Sequence, residues 1–277
     1  MSTTTAAAAP PLHEPRVERS RQPSRKRGLA LRVVLPVTIF GIWWLLTGTG
    51  IVASNILATP SATASTFWNL LLHQDLLGDI GVSVARLLVG VGIGAGIGLV
   101  LGITVGLFAL GEELLDSSLQ MLRTIPFPAV IFLFIVWFGI GETAKVALIA
   151  LATMFPMYLN ASNGVRNVDR RVVEAARSFG LRGRRLVTGV VIPLAMPSIL
   201  TGLRFAGGVG VIALVFAETI NASKGIGYLA LQASSFQQVS TLMVCIIIYA
   251  LLGIVVDLFV RLLERRLMPW RRQMAIR

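Results

Sequence analysis

Apolar residues along this chain gather in long uninterrupted runs, with the polar residues clustered between them. A helix that crosses a hydrocarbon core needs about 20 mostly apolar residues. Six stretches meet that need, at 29–47, 87–111, 119–140, 144–161, 197–217 and 239–260. The first holds Arg32 near enough to its start for the side chain to reach lipid headgroups. The second holds no charge, and Pro126 and Pro128, lacking amide donors, distort the opening turns of the third. Between the first two runs, Thr59-Pro60-Ser61 is a helix-start signal, and Ala64, Phe67, Trp68, Leu71 and Leu72 recur at helical spacing. A short helix on the outer membrane surface is expected there. The pattern predicts an all-α membrane protein whose six transmembrane helices occupy residues 29–267. A disordered basic tail at 1–28 and a basic end at 268–277 flank them.

Composition agrees with lipid as the solvent. Of 277 residues, 55% are hydrophobic and 14% charged, and mean hydropathy is +0.78, far from the soluble average. The net charge of +12 would suggest nucleic acid in a soluble protein, but its distribution excludes that reading. Of 25 Lys and Arg, seven lie between Arg16 and Arg32, seven between Arg166 and Arg185, and six between Arg261 and Arg277. Those are the positions of cytoplasmic ends and of the loop between the fourth and fifth spans, by the excess of positive charge on that side. The opposite face has no Lys or Arg from Ile51 to Asp79 and only Lys224 between Glu218 and Gln238. A multi-pass protein of the cell membrane with both termini in the cytoplasm is expected.

Gly90, Gly94, Gly98, Gly102 and Gly106 repeat every four residues and share one helix face. Inside lipid, helices associate by close packing, and small residues at this spacing permit it. Gly90-Val91-Gly92-Ile93-Gly94 also matches a dinucleotide fingerprint, which requires a strand-turn-helix context that an uncharged apolar run does not provide. Cys245, the only cysteine, lies inside an apolar run and reads as a packing residue. His13 and His73 are far apart, so no metal site, cofactor or histidine base is expected.

The loop from Gly164 to Pro193 is too patterned for a connector. Asp169 can cap a short helix, Val172, Val173, Ala176 and Phe179 share a face, and Gly180 is placed to end it in a left-handed turn. A second short helix fits Arg182 to Val190, with Pro193 and Pro197 at its exit. Arg170 and Arg177 neighbour Glu174 on the first helix, so a local salt-bridged surface is the competing explanation for these charges, although such weak pairs do not require this glycine and proline spacing.

This helix-glycine-helix loop resembles the EAA loop of the permease subunits of ATP-binding-cassette importers. Glu174-Ala175-Ala176, Gly180, Val190 and Ile192-Pro193 meet that pattern, with Val190 where Ile is commoner. The stretches beginning at Gly111, Gly164 and Ala217 are similar to the nitrate, sulfonate and taurine permease group, and most of all to aliphatic sulfonate permeases. The resemblance implies a type I, MetI-like permease fold and a translocation pathway for a small organic anion. It also implies partners: separate ATPase subunits, an extracytoplasmic substrate-binding protein and a second permease copy. Within the loop it implies that Glu174, Ala175, Ala176, Phe179, Gly180, Ile192 and Pro193 couple the ATPase to the spans. Taurine, nitrate, bicarbonate or a vitamin precursor are cargoes of the same group.

No catalytic residue is expected. A nucleotide-binding Gly-Lys-Ser/Thr is absent, since the three lysines follow Arg25, Ala144 and Ser223. Arg204, inside the fifth span, is a candidate pathway residue with Arg123 and Glu218, because a charge within the membrane is costly and often functional. Headgroup contact by Arg204 and Arg123 is the competing explanation. An ion-driven transporter would carry acidic residues at mid-membrane, whereas Glu218 and Asp257 lie near span ends. A membrane scaffold would not require the Glu174–Pro193 pattern.

Overall fold

The computed structural model describes residues 25–108, 121 and 124–269. The described chain builds α1 (Arg25–Gly48), α2 (Pro60–His73), α3 (Leu76–Leu107), α4 (Phe127–Phe138) and α5 (Glu142–Arg166). It continues with α6 (Arg170–Ser178), α7 (Gly183–Leu186), a π turn (Val187–Val191), α8 (Ile192–Asn221), α9 (Ile226–Ser235) and α10 (Val239–Leu267).

Local chemistry explains most boundaries. Thr59 caps α2 by accepting the Ala62 amide at 3.1 Å, with Pro60 as its first residue. Asp75 caps α3 through the Gly78 amide. Pro126 precedes α4, and Gly139, at φ +77°, ends it.

Among the described residues four helices are long and apolar enough to cross a membrane: Leu76–Leu107, Glu142–Arg166, Gly183–Ile220 and Val239–Leu267. Val34–Gly48 and Pro128–Phe138 are shorter apolar segments. Two differences from the sequence pattern have physical causes. The second span begins at Leu76, well before the uncharged run at Leu87, because Arg86 is buried inside the helix rather than marking its edge. The helix entering α8 also runs through Pro193 and Pro197 instead of stopping. The π turn just before Pro193, closed by the Ile192 amide on the Val187 carbonyl, is where the chain absorbs a residue that cannot join the regular ladder.

The seam between α3 and α5 organises the bundle, and α8 packs across α5 next to it. The two helices of the seam run parallel. Gly90 meets Ile149, Gly94 meets the Ala150 carbonyl and Thr153, and Gly98 meets the Met154 carbonyl and Met157. Gly102 meets Ala161 and the Tyr158 carbonyl, and Gly106 meets Val165. Four-residue steps on one helix thus answer four-residue steps on the other. A methyl group on Gly102 would sit 2.6 Å from both of its neighbours. Small residues let the backbones approach where lipid supplies no hydrophobic drive.

Beneath this seam lies a core of Met157, Ala161, Val165, Val191, Ala195 and Ile199. Large apolar side chains such as Leu88, Val100, Phe132, Val136, Phe205 and Phe259 point outward. In water such a surface would aggregate, but against acyl chains it is the expected exterior. The single cysteine, Cys245, is buried in the α10 packing with Leu70, Leu76 and Ile226.

Candidate functional site

Two constructions stand at opposite ends of the bundle. At one end the chain leaves α5 and forms α6, α7 and the π turn. Asp169 caps α6 by accepting the Arg171 amide at 2.8 Å. The helix closes with two bonds, from the Gly180 amide to the Arg177 carbonyl (2.9 Å) and from the Leu181 amide to the Ala176 carbonyl (3.1 Å). This is the Schellman arrangement, which needs a left-handed residue after the cap. Gly180 supplies it at φ +84°, and since a β-carbon there would touch nothing, the requirement is conformation rather than space.

That turn decides what the loop displays. Ala176 is buried, while Glu174 and Ala175 are exposed. Phe179, the capping residue, is 88% exposed. Ile192 and Pro193 are half-buried at the start of α8. An aromatic ring held outward on this turn, near Arg177, Arg182, Arg184 and Arg185 in the chain, is a feature that packing among the described residues does not account for.

The opposite end holds a buried ionic network that the hydrophobic pattern does not reveal. Arg86 of α3 grips Glu142 of α5 with a two-pronged fork, Nε to Oε2 at 2.6 Å and Nη2 to Oε1 at 2.7 Å. Its Nη1 donates to Glu218 of α8 and to the Lys224 carbonyl, both at 2.7 Å. Lys145 adds a 2.9 Å bond to Glu142 Oε1. Glu218 is fully buried and also accepts from the Ser83 hydroxyl (2.7 Å), the Gly227 amide (2.8 Å) and the Tyr249 hydroxyl (3.3 Å). Ser83 Oγ in turn accepts the Ile226 amide, and Asp79 accepts the Gly225 amide. Two cations and two carboxylates cancel, and a buried charge is tolerable only when partnered in this way. The 222–225 connection and the start of α9 are thereby tied to α3.

Two of the candidate pathway residues have partners within the chain. Glu218 faces no open channel, because both its oxygens are engaged in the network. Arg204 lies with Nε 3.1 Å from Asp257 and Nη2 3.1 Å from Glu264, both on α10, so carboxylates answer its charge. Asp257 also pairs with Arg261 at 2.6 Å, the expected one-turn ion pair. Arg123 lies outside the described residues. Arg86 had a signal in the sequence: it stands four residues before Gly90, on the glycine face, so it points into the bundle. Among the described residues no group of His, Cys, Asp and Glu could hold a metal.

Comparison with known proteins gives consistent results. A family model described as a binding-protein-dependent transport system inner membrane component matches residues 94–269. A protein of Escherichia coli (strain K12), named provisionally as an aliphatic sulfonates transport permease, is 47% identical over 85% of this chain and 90% of its own length. One of the same name in Bacillus subtilis (strain 168) is 42% identical over 91% of each chain. Among solved structures, an amino acid ABC transporter crystallised with histidines superposes with a TM-score of 0.60. It covers 72% of this chain and 98% of its own, at 20% identity, a likeness of fold.

Proposed function

The chain belongs to the family of binding-protein-dependent transport system inner membrane components, and from that premise we propose how its parts serve import. It is a multi-pass membrane permease component of an ABC importer. Its cargo is an aliphatic sulfonate, a reading supported by the relatives from two distant bacteria. ATP hydrolysis takes place on a separate subunit. A binding protein delivers cargo at the Arg86 end, and a second copy of this chain completes the pathway. The six apolar segments all cross the membrane, with the Phe179 loop and both termini in the cytoplasm, as the basic clusters favour.

The observation that carries the coupling role is the exposure of Phe179 on a turn built to hold it out. A groove on the ATPase receives this ring and the small surface of Ala175. Closure of that groove pushes α6 and α7, and the push travels through Ile192 and Pro193 into α8. The test is assembly of the permease with its ATPase and binding protein in proteoliposomes. Uptake of a labelled alkanesulfonate that requires ATP is expected, with taurine and nitrate as competitors. Phe179→Ala should cut uptake at least tenfold without changing the amount of permease. Uptake that persists at the wild-type rate in this variant would remove the coupling role, and preference for nitrate would remove the cargo assignment.

A further inference from the structure

Glu142 differs from the rest of the buried network. Arg86 is 5% exposed, Lys145 3% and Glu218 fully buried, yet the Glu142 side chain is 61% exposed. It is the first residue of α5, following Gly141, where the free amides of a long helix favour negative charge. Three favourable features therefore converge on one accessible carboxylate: the Arg86 fork, the Lys145 ammonium and the helix start.

This carboxylate also borders a cleft of about 560 Å³. Its other walls are apolar apart from Thr143, with Ile93, Ile97, Phe134, Val146 and Met154 among them. A second cleft of about 540 Å³ shares Phe134, Leu151 and Met154 with the first, so an apolar trench runs from Glu142 along α5 toward Leu159. Each volume lies within the range of small-molecule sites, roughly 300–1,000 Å³. Arg86 and Lys145 do not line the cleft themselves; they stand behind the Glu142 carboxylate that closes its end, and the rest suits hydrocarbon.

We propose that Arg86 and Lys145 form an oxyanion subsite, occupied at rest by the Glu142 carboxylate and taken over during transport by the head group of an amphiphilic anion. The alkyl chain of the ligand lies in the apolar trench. The sulfonate takes the place of one singly charged partner on the same donors, the displaced Glu142 carboxylate, already 61% exposed, turns to solvent, and Glu218 stays on Arg86 Nη1 and keeps the guanidinium oriented. Oxygens of a sulfonate accept the same forked donation as a carboxylate. The returning Glu142 then displaces the anion, so the site need not hold it tightly. This deepens the alkanesulfonate reading above and rests on it for the natural ligand.

The experiment titrates the purified permease–ATPase complex, without binding protein, with hexanesulfonate and with neutral hexanesulfonamide. Hexanesulfonate is expected to bind saturably, and Glu142→Gln to tighten it about tenfold by removing the competing carboxylate. Lys145→Gln is expected to weaken it at least tenfold, and the sulfonamide to show no saturable binding. Should either polar variant fail to accumulate, Ala147→Phe narrows the cleft and leaves every charge in place. It should weaken hexanesulfonate several-fold more than methanesulfonate. Equal hexanesulfonate affinity in wild type and Glu142→Gln, or a chain-length preference unchanged by Ala147→Phe, would overturn the proposal. These titrations do not depend on the cargo. Failed alkanesulfonate uptake by the complete importer therefore removes only the cargo assignment, and the subsite is decided by binding.

Discussion

The two ends of this bundle treat charge and apolar surface in opposite ways. At the Arg86 end, helices α3, α5 and α8 turn their ionic groups inward. They satisfy one another over sequence separations of 56 and 132 residues. At the Phe179 end, a short capped helix turns its arginines and its aromatic ring outward. The first arrangement holds a connection in place, and its energy lies in partners within the chain. The second has its shape fixed by backbone hydrogen bonds and leaves its side chains free for something else. Stability and function should therefore separate when each end is changed.

The largest effect is expected from Arg86→Leu, which strands Glu218 without a countercharge in a buried position. Loss of one partner of a buried ion pair costs about 3–5 kcal/mol. The variant should melt far below wild type in detergent and accumulate poorly in membranes. Adding Glu218→Leu should recover part of that loss, because a buried pair replaced by apolar residues is often neutral. Next comes Gly94→Ala at the α3–α5 seam, where the new methyl would meet the Ala150 carbonyl and Thr153. Overpacking of this kind costs about 1–3 kcal/mol, to be read as a lower melting temperature.

Gly180→Ala should cost about 1 kcal/mol, the penalty for a left-handed residue with a side chain. Its fall in uptake should be greater than that loss of stability explains. The smallest effect belongs to Arg204→Gln. Its ion pairs are partly solvated, with Arg204 41% and Asp257 34% exposed, and Asp257 keeps Arg261. Solvent screening limits such pairs to about 0.2–1 kcal/mol, and uptake should remain near wild type. A tenfold loss of uptake at normal accumulation would return Arg204 to the pathway.

How far these ends could be read from the sequence follows from the range of the interactions. The Phe179 loop is local: its cap, its helix and its left-handed turn all fall between Asp169 and Leu181. Capping and turn chemistry at fixed spacing therefore announced it. The glycine face of α3 was equally visible, although its partner on α5 was not, because a parallel neighbour is reached only through α4. The network around Arg86 was hidden for a different reason. A search for uncharged runs discards the residue that makes the network, and whether a buried arginine is tolerable depends on Glu142 and Glu218, far away in the chain. Glu218, a pathway candidate near a span end in the sequence, belongs to this same network. The π turn before Pro193 was hidden too, since two prolines read locally as a stop.

Phe179 gives the most direct test of the claim that one end is built to be docked upon. The permease is coexpressed with its ATPase, and the ATPase recovered per permease is measured for wild type and Phe179→Asp. The account predicts that this variant accumulates and melts like wild type, since its ring touches little of its own chain, while ATPase recovery falls at least tenfold. Equal recovery from the two would contradict it.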